Sequence, residues 1–496
     1  MSGNNSPTGY FQEEPLSFEY PHEGQDGVKL RRPDVAEADL SQALAGAALR
    51  DDELGALPQL SEFETIRHFT RLSKLNVSID AAMYPLGSCT MKYNPRINEI
   101  VARLPGLATV HPLVPDEMAQ GFLEMLYRLE QVLADITGLP GVSLQPAAGA
   151  QGELTGVLLI RARQDAKGEQ REFMLVPDSA HGTNPASAHL AGYQVRELAS
   201  DAQGCVDLAD LEAKMDENVA GLMLTNPNTL GIFERDIARI AEIVHAKGGY
   251  IYCDGANMNA QVGITRPGDY GMDVLHLNLH KTFSTPHGGG GPGAGPCFCT
   301  EELRPYLPVP RVVQESGHYR LDWDVPTAIG KISTFYGNTG ILVRALSYIL
   351  ALGQDGLKAM TEAAVLNANY LRHKLSPLLK VSTDAPTLHE VVFSDSGLSK
   401  HGGITTLDLA KRLIDYGFHP PTVYFPLTVH GALMVEPTES EPRAELDRFV
   451  EAIAAILHEG DTDPELVKQA PHLAPRRRLD ETLAARKPVL RYLPEA

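Results

Sequence analysis

Between residues 142 and 279 short apolar runs alternate with stretches of helical periodicity, and nothing else in the chain restricts its fold as much. The pattern predicts strands at 142–144, 172–176, 193–198, 220–224, 250–253 and 274–279, with helices at 151–163, 208–215 and 237–246. A parallel crossover needs a dozen or more residues and is most often closed by a helix. This alternation therefore predicts an α/β fold, a large domain on a mostly parallel sheet covered on both faces. Upstream, Met118, Phe122, Leu126, Leu129, Leu133 and Ile136 fall at helical spacing, with Asp116 and Glu117 in the first turn and Gly138 as the stop. Beyond about residue 330 two long helical stretches, one around LVRALSYILAL and one over 357–375, lead into a second, smaller α+β region. At 496 residues the chain exceeds what one core supports. The expected division is an N-terminal arm and substrate-side segment (1–105), a large domain (106–325), a small C-terminal domain (326–465) and an extended tail (466–496).

The bulk properties exclude several classes. A net charge of −20 argues against a nucleic-acid or anionic-membrane partner. No apolar run approaches the ~18 residues of a transmembrane helix, and the first twenty residues carry neither the basic nor the apolar segment of a signal peptide. Five scattered cysteines, an odd number, suggest reduced thiols in a cytoplasmic protein. Cys297 and Cys299 lack metal-ligand spacing and would share one face of a strand, so no metal is expected.

The chemistry concentrates at predicted strand ends. The run IYCD ends in Asp254 and the run VLHLNLHK ends in Lys281, 27 residues later, about one strand–helix–strand crossover. Pyridoxal phosphate needs this pair: an amine to hold the cofactor as a Schiff base and a carboxylate to keep the pyridine nitrogen protonated. Burial beside His280 and His287 would favour the deprotonated amine. The glycine-dense run from Gly288 to Gly295 would let the chain pass close to a ligand; alternatively it is a flexible loop.

Three further segments follow predicted strands, where ligands sit in open α/β sheets. PAAGAQGE (Pro146–Glu153) opens a helix, and its small residues and first-turn amides suit a phosphate. It is neither a Walker loop nor a dinucleotide fingerprint. DSAHGTNP (Asp178–Pro185) carries His181, a flat ring able to stack on a cofactor; as a bare pattern it is equally a capped helix start with a surface histidine. TNPN (Thr225–Asn228) offers Thr225 and Asn226 to a phenolic oxygen, or is simply a turn.

Taken together, PLGSCTMKYNP, QPAAGAQGE, DSAHGTNPAS, LTNPNTLG, DGANMNA, HLNLHKTFSTPHGGGGPG and VEPTES resemble the glycine cleavage P-protein family, in the second subunit of its two-subunit form. The resemblance runs from about residue 60 to the tail. It implies an aspartate-aminotransferase-like type I pyridoxal phosphate fold, and PLP-dependent glycine decarboxylation with transfer of the aminomethyl group to a lipoyl disulfide on a carrier H-protein. It implies Lys281 for the Schiff base, Asp254 for the pyridine nitrogen and His181 over the ring. Gly149, Ala150 and Gln151 would serve the phosphate, with Thr225 and Asn226 beside the ring oxygen and His280 adjoining the lysine. Thr339 would contact the phosphate from a neighbouring chain. Ser88, Cys89, Lys92 and Tyr93 fall on the substrate side, where Lys92 either attracts the glycine carboxylate or is solvated. The implied partners are a homologous subunit 1 in an α2β2 heterotetramer and the lipoylated H-protein, with T-protein and L-protein in the same system. An acidic carrier would need a local basic rim, for which Arg476, Arg477 and Arg478 are one source, unless the tail packs on a neighbour. A cysteine desulfurase is disfavoured, since no cysteine follows Cys299. A cofactor-free scaffold is disfavoured by Lys281 and Asp254 together.

Overall fold

The computed structural model describes residues 14–20, 31–32, 34–36, 38–44, 58–111, 113–287 and 293–491. Much of the stretch before residue 58, and the glycines at 288–291, lie outside them. The chain divides into two compact units, Met1–Ser78 with Ala470–Ala496, and Ile79–Gln469. In the first unit, Ser61 and Glu64 form a capping box on the helix Glu62–Lys74. The Glu14 carboxylate there accepts from His68 (3.0 Å), Arg71 (3.3 Å) and the Tyr20 hydroxyl.

The second unit is built on a seven-stranded sheet. Its strands are β1 (Gly141–Ser143), β2 (Phe173–Pro177), β3 (Gln194–Leu198), β4 (Val219–Thr225), β5 (Tyr250–Gly255), β6 (Val274–Leu277) and β7 (Cys297–Cys299), in spatial order β1-β7-β6-β5-β4-β2-β3. β2 to β6 pair in parallel, and β7 runs antiparallel to β1 and β6. β1 to β6 match the predicted strands to within two residues at either end. β6 ends two residues early because Leu279–Thr282 winds into a helical turn, placing Lys281 on that turn. β4 and β5 are buried at every position, as two-sided packing requires. β7 sorts by alternation: Cys297 and Cys299 pack in one apolar cluster and Phe298 in another.

The helix Gln120–Thr137 buries Phe122, Leu126, Leu129 and Leu133 and stops at Gly138, whose φ of 71° is the left-handed conformation glycine adopts without strain. Met118 falls outside it, 74% exposed, because Asp116–Met118 forms a separate 3₁₀ turn. The two long helical stretches run on as Thr339–Leu375, broken at Gly353. They lead to a four-stranded antiparallel sheet of β10 (Lys380–Val381), β11 (Val391–Ser394), β12 (Thr422–Val423) and β13 (Leu433–Val435), ordered β10-β11-β13-β12, after a hairpin of β8 (Arg311–Glu315) and β9 (His318–Asp322). A separate apolar cluster around Phe393, Phe418 and Phe449 supports this sheet. Among the described residues no helix is long and apolar enough to cross a membrane.

Candidate active site

Strand register builds the floor of the site. Thr225 on β4 pairs with Asp254 on β5, and Asp254 pairs with His276 on β6, so the three stand in one row across the carboxyl ends of the parallel strands. They line a cavity of about 170 Å³ together with Gly149, Ala150, His181, Ser88 and Lys281.

Asp254 is 2% exposed. Its Oδ1 accepts the Ala256 N–H at 2.9 Å and lies 3.5 Å from His276 Nε2. The Tyr252 hydroxyl donates to His276 Nδ1 at 2.5 Å, and Nε2 meets Asn278 Oδ1 at 3.0 Å. This network assigns the proton to Nε2. Burial holds the imidazole below its ordinary range, hence neutral, against the pull of Asp254. The Nε2 proton goes to Asn278, so His276 stands 3.5 Å from Asp254 as a neutral, fixed neighbour of the carboxylate.

The helix Gly149–Lys167 opens into the same cavity. Its N-cap, Ala148, supplies no capping side chain, so the first-turn amides remain donors for an anion. Glycine leaves this start room beside Asn278, whose Oδ1 would stand 2.5 Å from a Cβ on Gly149 and would have to shift. Opposite, His181 Nδ1 is 2.8 Å from Thr183 Oγ1, which donates to Glu153 Oε1 at 2.7 Å. Glu153 is pushed up to about 7, first by burial and then by the Asp254 charge, while Thr183 and Ser187 hold it down.

These features fit pyridoxal phosphate. The uncapped helix start suits a phosphate, and the buried carboxylate suits a protonated ring nitrogen. The Thr225 hydroxyl, buried with no partner, suits a ring oxygen. The amine is supplied by Lys281, whose Nζ donates to the Ser88 carbonyl at 2.7 Å.

Other predicted residues do not reach the lining. The Gln151 side chain is spent on the loop, accepting from Ala147 N–H (2.7 Å) and donating to the Ile332 carbonyl (3.1 Å). Asn226 accepts from Glu234 N–H with its side chain and from Gln261 with its carbonyl. His280 accepts from the Ala294 N–H and, with His287 edge-on, is held down to about 3, mostly by burial. Thr339 begins the helix Thr339–Leu375. Cys89 Sγ lies 3.5 Å from His287 Nε2, its thiol raised by burial. Lys92 is not solvated: it is 3% exposed, paired to Glu439 at 2.6 Å and bonded to the Thr282 carbonyl at 2.9 Å. Tyr93 is 42% exposed, its N–H donating to Ser440 Oγ at 3.0 Å.

Glu153 and His276 also line the cavity, though no motif singled them out. For His276 a signal existed: it is the one polar residue of β6, and a polar side chain among apolar ones there marks a position turned to the site.

Residues 36–317 match the family described as "Glycine cleavage system P-protein", and residues 360–472 match "Glycine dehydrogenase, C-terminal domain". The chain is 54% identical to a "Probable glycine dehydrogenase (decarboxylating) subunit 2" of Caldanaerobacter subterraneus subsp. tengcongensis, over 96% of this chain and 98% of that protein. It is 52% identical to a protein of the same description in Bacillus licheniformis, over 97% and 99%. A crystal structure of glycine decarboxylase (P-protein) of the glycine cleavage system in inhibitor-bound form superposes with a TM-score of 0.71 at 22% identity, covering 86% of this chain and all of that one. A cysteine desulfurase of Escherichia coli superposes with a TM-score of 0.58 at 16% identity, over 76% and 95%.

Proposed function

The chain belongs to the glycine cleavage system P-protein family, and we propose that the cavity at Lys281 is the site of its PLP-dependent glycine decarboxylation. One observation carries the assignment: the Lys281 amine, the Asp254 carboxylate and an uncapped helix start line a single cavity. When bound, the cofactor supplies an aldehyde for the lysine amine and an electron sink for the pair left behind as CO2 departs.

The chain's own groups do the rest. The amides of Gly149, Ala150 and Gln151 would hold the phosphate, so that Gln151 would contribute backbone and not side chain. Asp254, placed by Ala256 and beside neutral His276, would keep the ring nitrogen protonated. Thr225 would donate to the ring oxygen. His181, tethered by Thr183, would lie against the ring. Ser88 holds the lysine amine ready on the substrate side. Closing this cavity to water favours loss of a charged carboxylate as neutral CO2.

In our reading the acceptor is the lipoyl disulfide of the H-protein. The chain works in the cytoplasm beside a homologous subunit 1 in an α2β2 assembly, which fits the words "subunit 2" in its relatives' descriptions. The test is glycine-dependent exchange of labelled bicarbonate with lipoylated H-protein, with and without the partner subunit. Exchange in the complete mixture is expected; its absence there would refute the assignment.

A further inference from the structure

The substrate side of the cavity is backed by two glutamates with no part in the chemistry above. Glu390 is fully buried and Glu436 is 1% exposed. Each offers an oxygen within 4.8 Å of the other and of a His389 nitrogen. Glu390 Oε2 accepts the Ser88 N–H at 2.8 Å. Glu436 Oε1 accepts from the Thr90 hydroxyl at 2.5 Å and from Asn259 at 3.2 Å. Glu390 Oε1, Glu436 Oε2 and both His389 nitrogens are buried without a hydrogen-bond partner, with His389 Nε2 standing 3.7 Å from Glu390 Oε1.

The charges around this cluster do not balance with both carboxylates ionised. Burial holds His389 down to about 3, so its ring is neutral. Of the nearby lysines, Lys92 is committed to Glu439, which leaves Lys281 to face two acids. The Cys89 thiol, raised by burial, adds no positive charge. Two like charges at this spacing in a dry site cannot both persist, and one proton between them is the low-energy state. Both carboxyls are accordingly pushed up, Glu436 to about 7, by burial first; for Glu390 the charge of Glu436 comes next.

Ser88 links this cluster to the lysine. Its φ of 58° is left-handed, a conformation that strains a non-glycine residue. The bond from its N–H to Glu390 holds it there, and that backbone turn aims its carbonyl at Lys281 Nζ. We propose that Glu390 and Glu436 share a single proton and act as a positioning pair, setting the place of the Lys281 amine through the Ser88 backbone. The positioning role rests on the assignment of Lys281 as the cofactor lysine; the shared proton does not.

Infrared difference spectra of the full chain in D2O at neutral pH count the protons directly. Glu390→Gln and Glu436→Gln should each remove one protonated-carboxyl band, and the double variant should remove no more. No loss in either variant, or two bands lost in the double, would overturn the shared proton. In the holoenzyme, the pH at which the visible band of the lysine-bound cofactor titrates should move by about one unit in Glu390→Gln; an unmoved titration would overturn the positioning role. Failure of the glycine reading is seen separately, as absent bicarbonate exchange in the wild type with the infrared count unchanged.

Discussion

Lys281 Nζ lies 2.7 Å from the backbone carbonyl of Ser88, a residue 193 positions earlier in the chain. The amine is thus held by a backbone carbonyl and not by an acid. Asp254, expected at the ring nitrogen, accepts from the Ala256 N–H and stands 3.5 Å from His276 Nε2.

Lys281→Ala should abolish the visible absorbance of the lysine-bound cofactor and lower exchange activity by a factor on the order of 10⁴ or more. The fold should survive, because the lost bond ends on a loop carbonyl. Retention of the band in the purified variant would reassign the Schiff-base lysine.

Gly149→Ala puts a methyl where Asn278 Oδ1 already stands, 2.5 Å from the new carbon. Asn278 must move, and it holds His276 at 3.0 Å. The expected costs are about 1–3 kcal/mol of stability and roughly tenfold weaker cofactor binding. Melting of the apoprotein reads the first and cofactor titration the second. Unchanged cofactor affinity would mean that this helix start does not hold the phosphate.

The limits of sequence reading are visible in these same residues. Asp254, Lys281 and Gly149 were legible because each ends or follows an apolar run whose period fixes it at a strand end. His276 required register, since only pairing with β5 puts it beside Asp254. Glu390 and Glu436 reach the site from the flanks of the small antiparallel sheet, where no local pattern ties them to Lys281. Gln151 and Lys92 lay in segments read as cofactor- and substrate-side, yet Ile332 and Glu439, far along the chain, claim their side chains. Periodicity reports backbone placement; the partners of a buried polar group are a tertiary property.

Glu130 makes stability pH-dependent away from the site. Burial pushes it up to about 8, against a hydrogen bond from Tyr336 at 3.2 Å. Its folded pKa lies above its unfolded value, so its protonated form contributes stability that is complete below about pH 4.5 and is lost as pH rises through about 8. Glu130→Gln keeps the shape and cannot ionise. Relative to wild type it should gain stability, by a few kcal/mol at most, on going from about pH 5 to pH 9. Thermal melts of both proteins at the two pH values check this, and parallel shifts would show Glu130 ionised throughout.

Lys92 separates a structural cation from a substrate-binding one. Its ammonium sits between Glu439 (2.6 Å) and the Thr282 carbonyl (2.9 Å), with the Tyr348 ring 5.5 Å away. Removing one partner of a buried pair leaves an uncompensated charge, at about 3–5 kcal/mol. Lys92→Met should therefore lower the melting temperature markedly, and Lys92→Met with Glu439→Gln should recover much of the loss because no charge is stranded. At a temperature where Lys92→Met remains folded, its KM for glycine should stay within about threefold of wild type, since the ammonium is already committed to Glu439. A carboxylate-binding lysine would instead raise KM by tenfold or more, each factor of ten being about 1.4 kcal/mol, and with little change in melting that outcome would return Lys92 to the substrate.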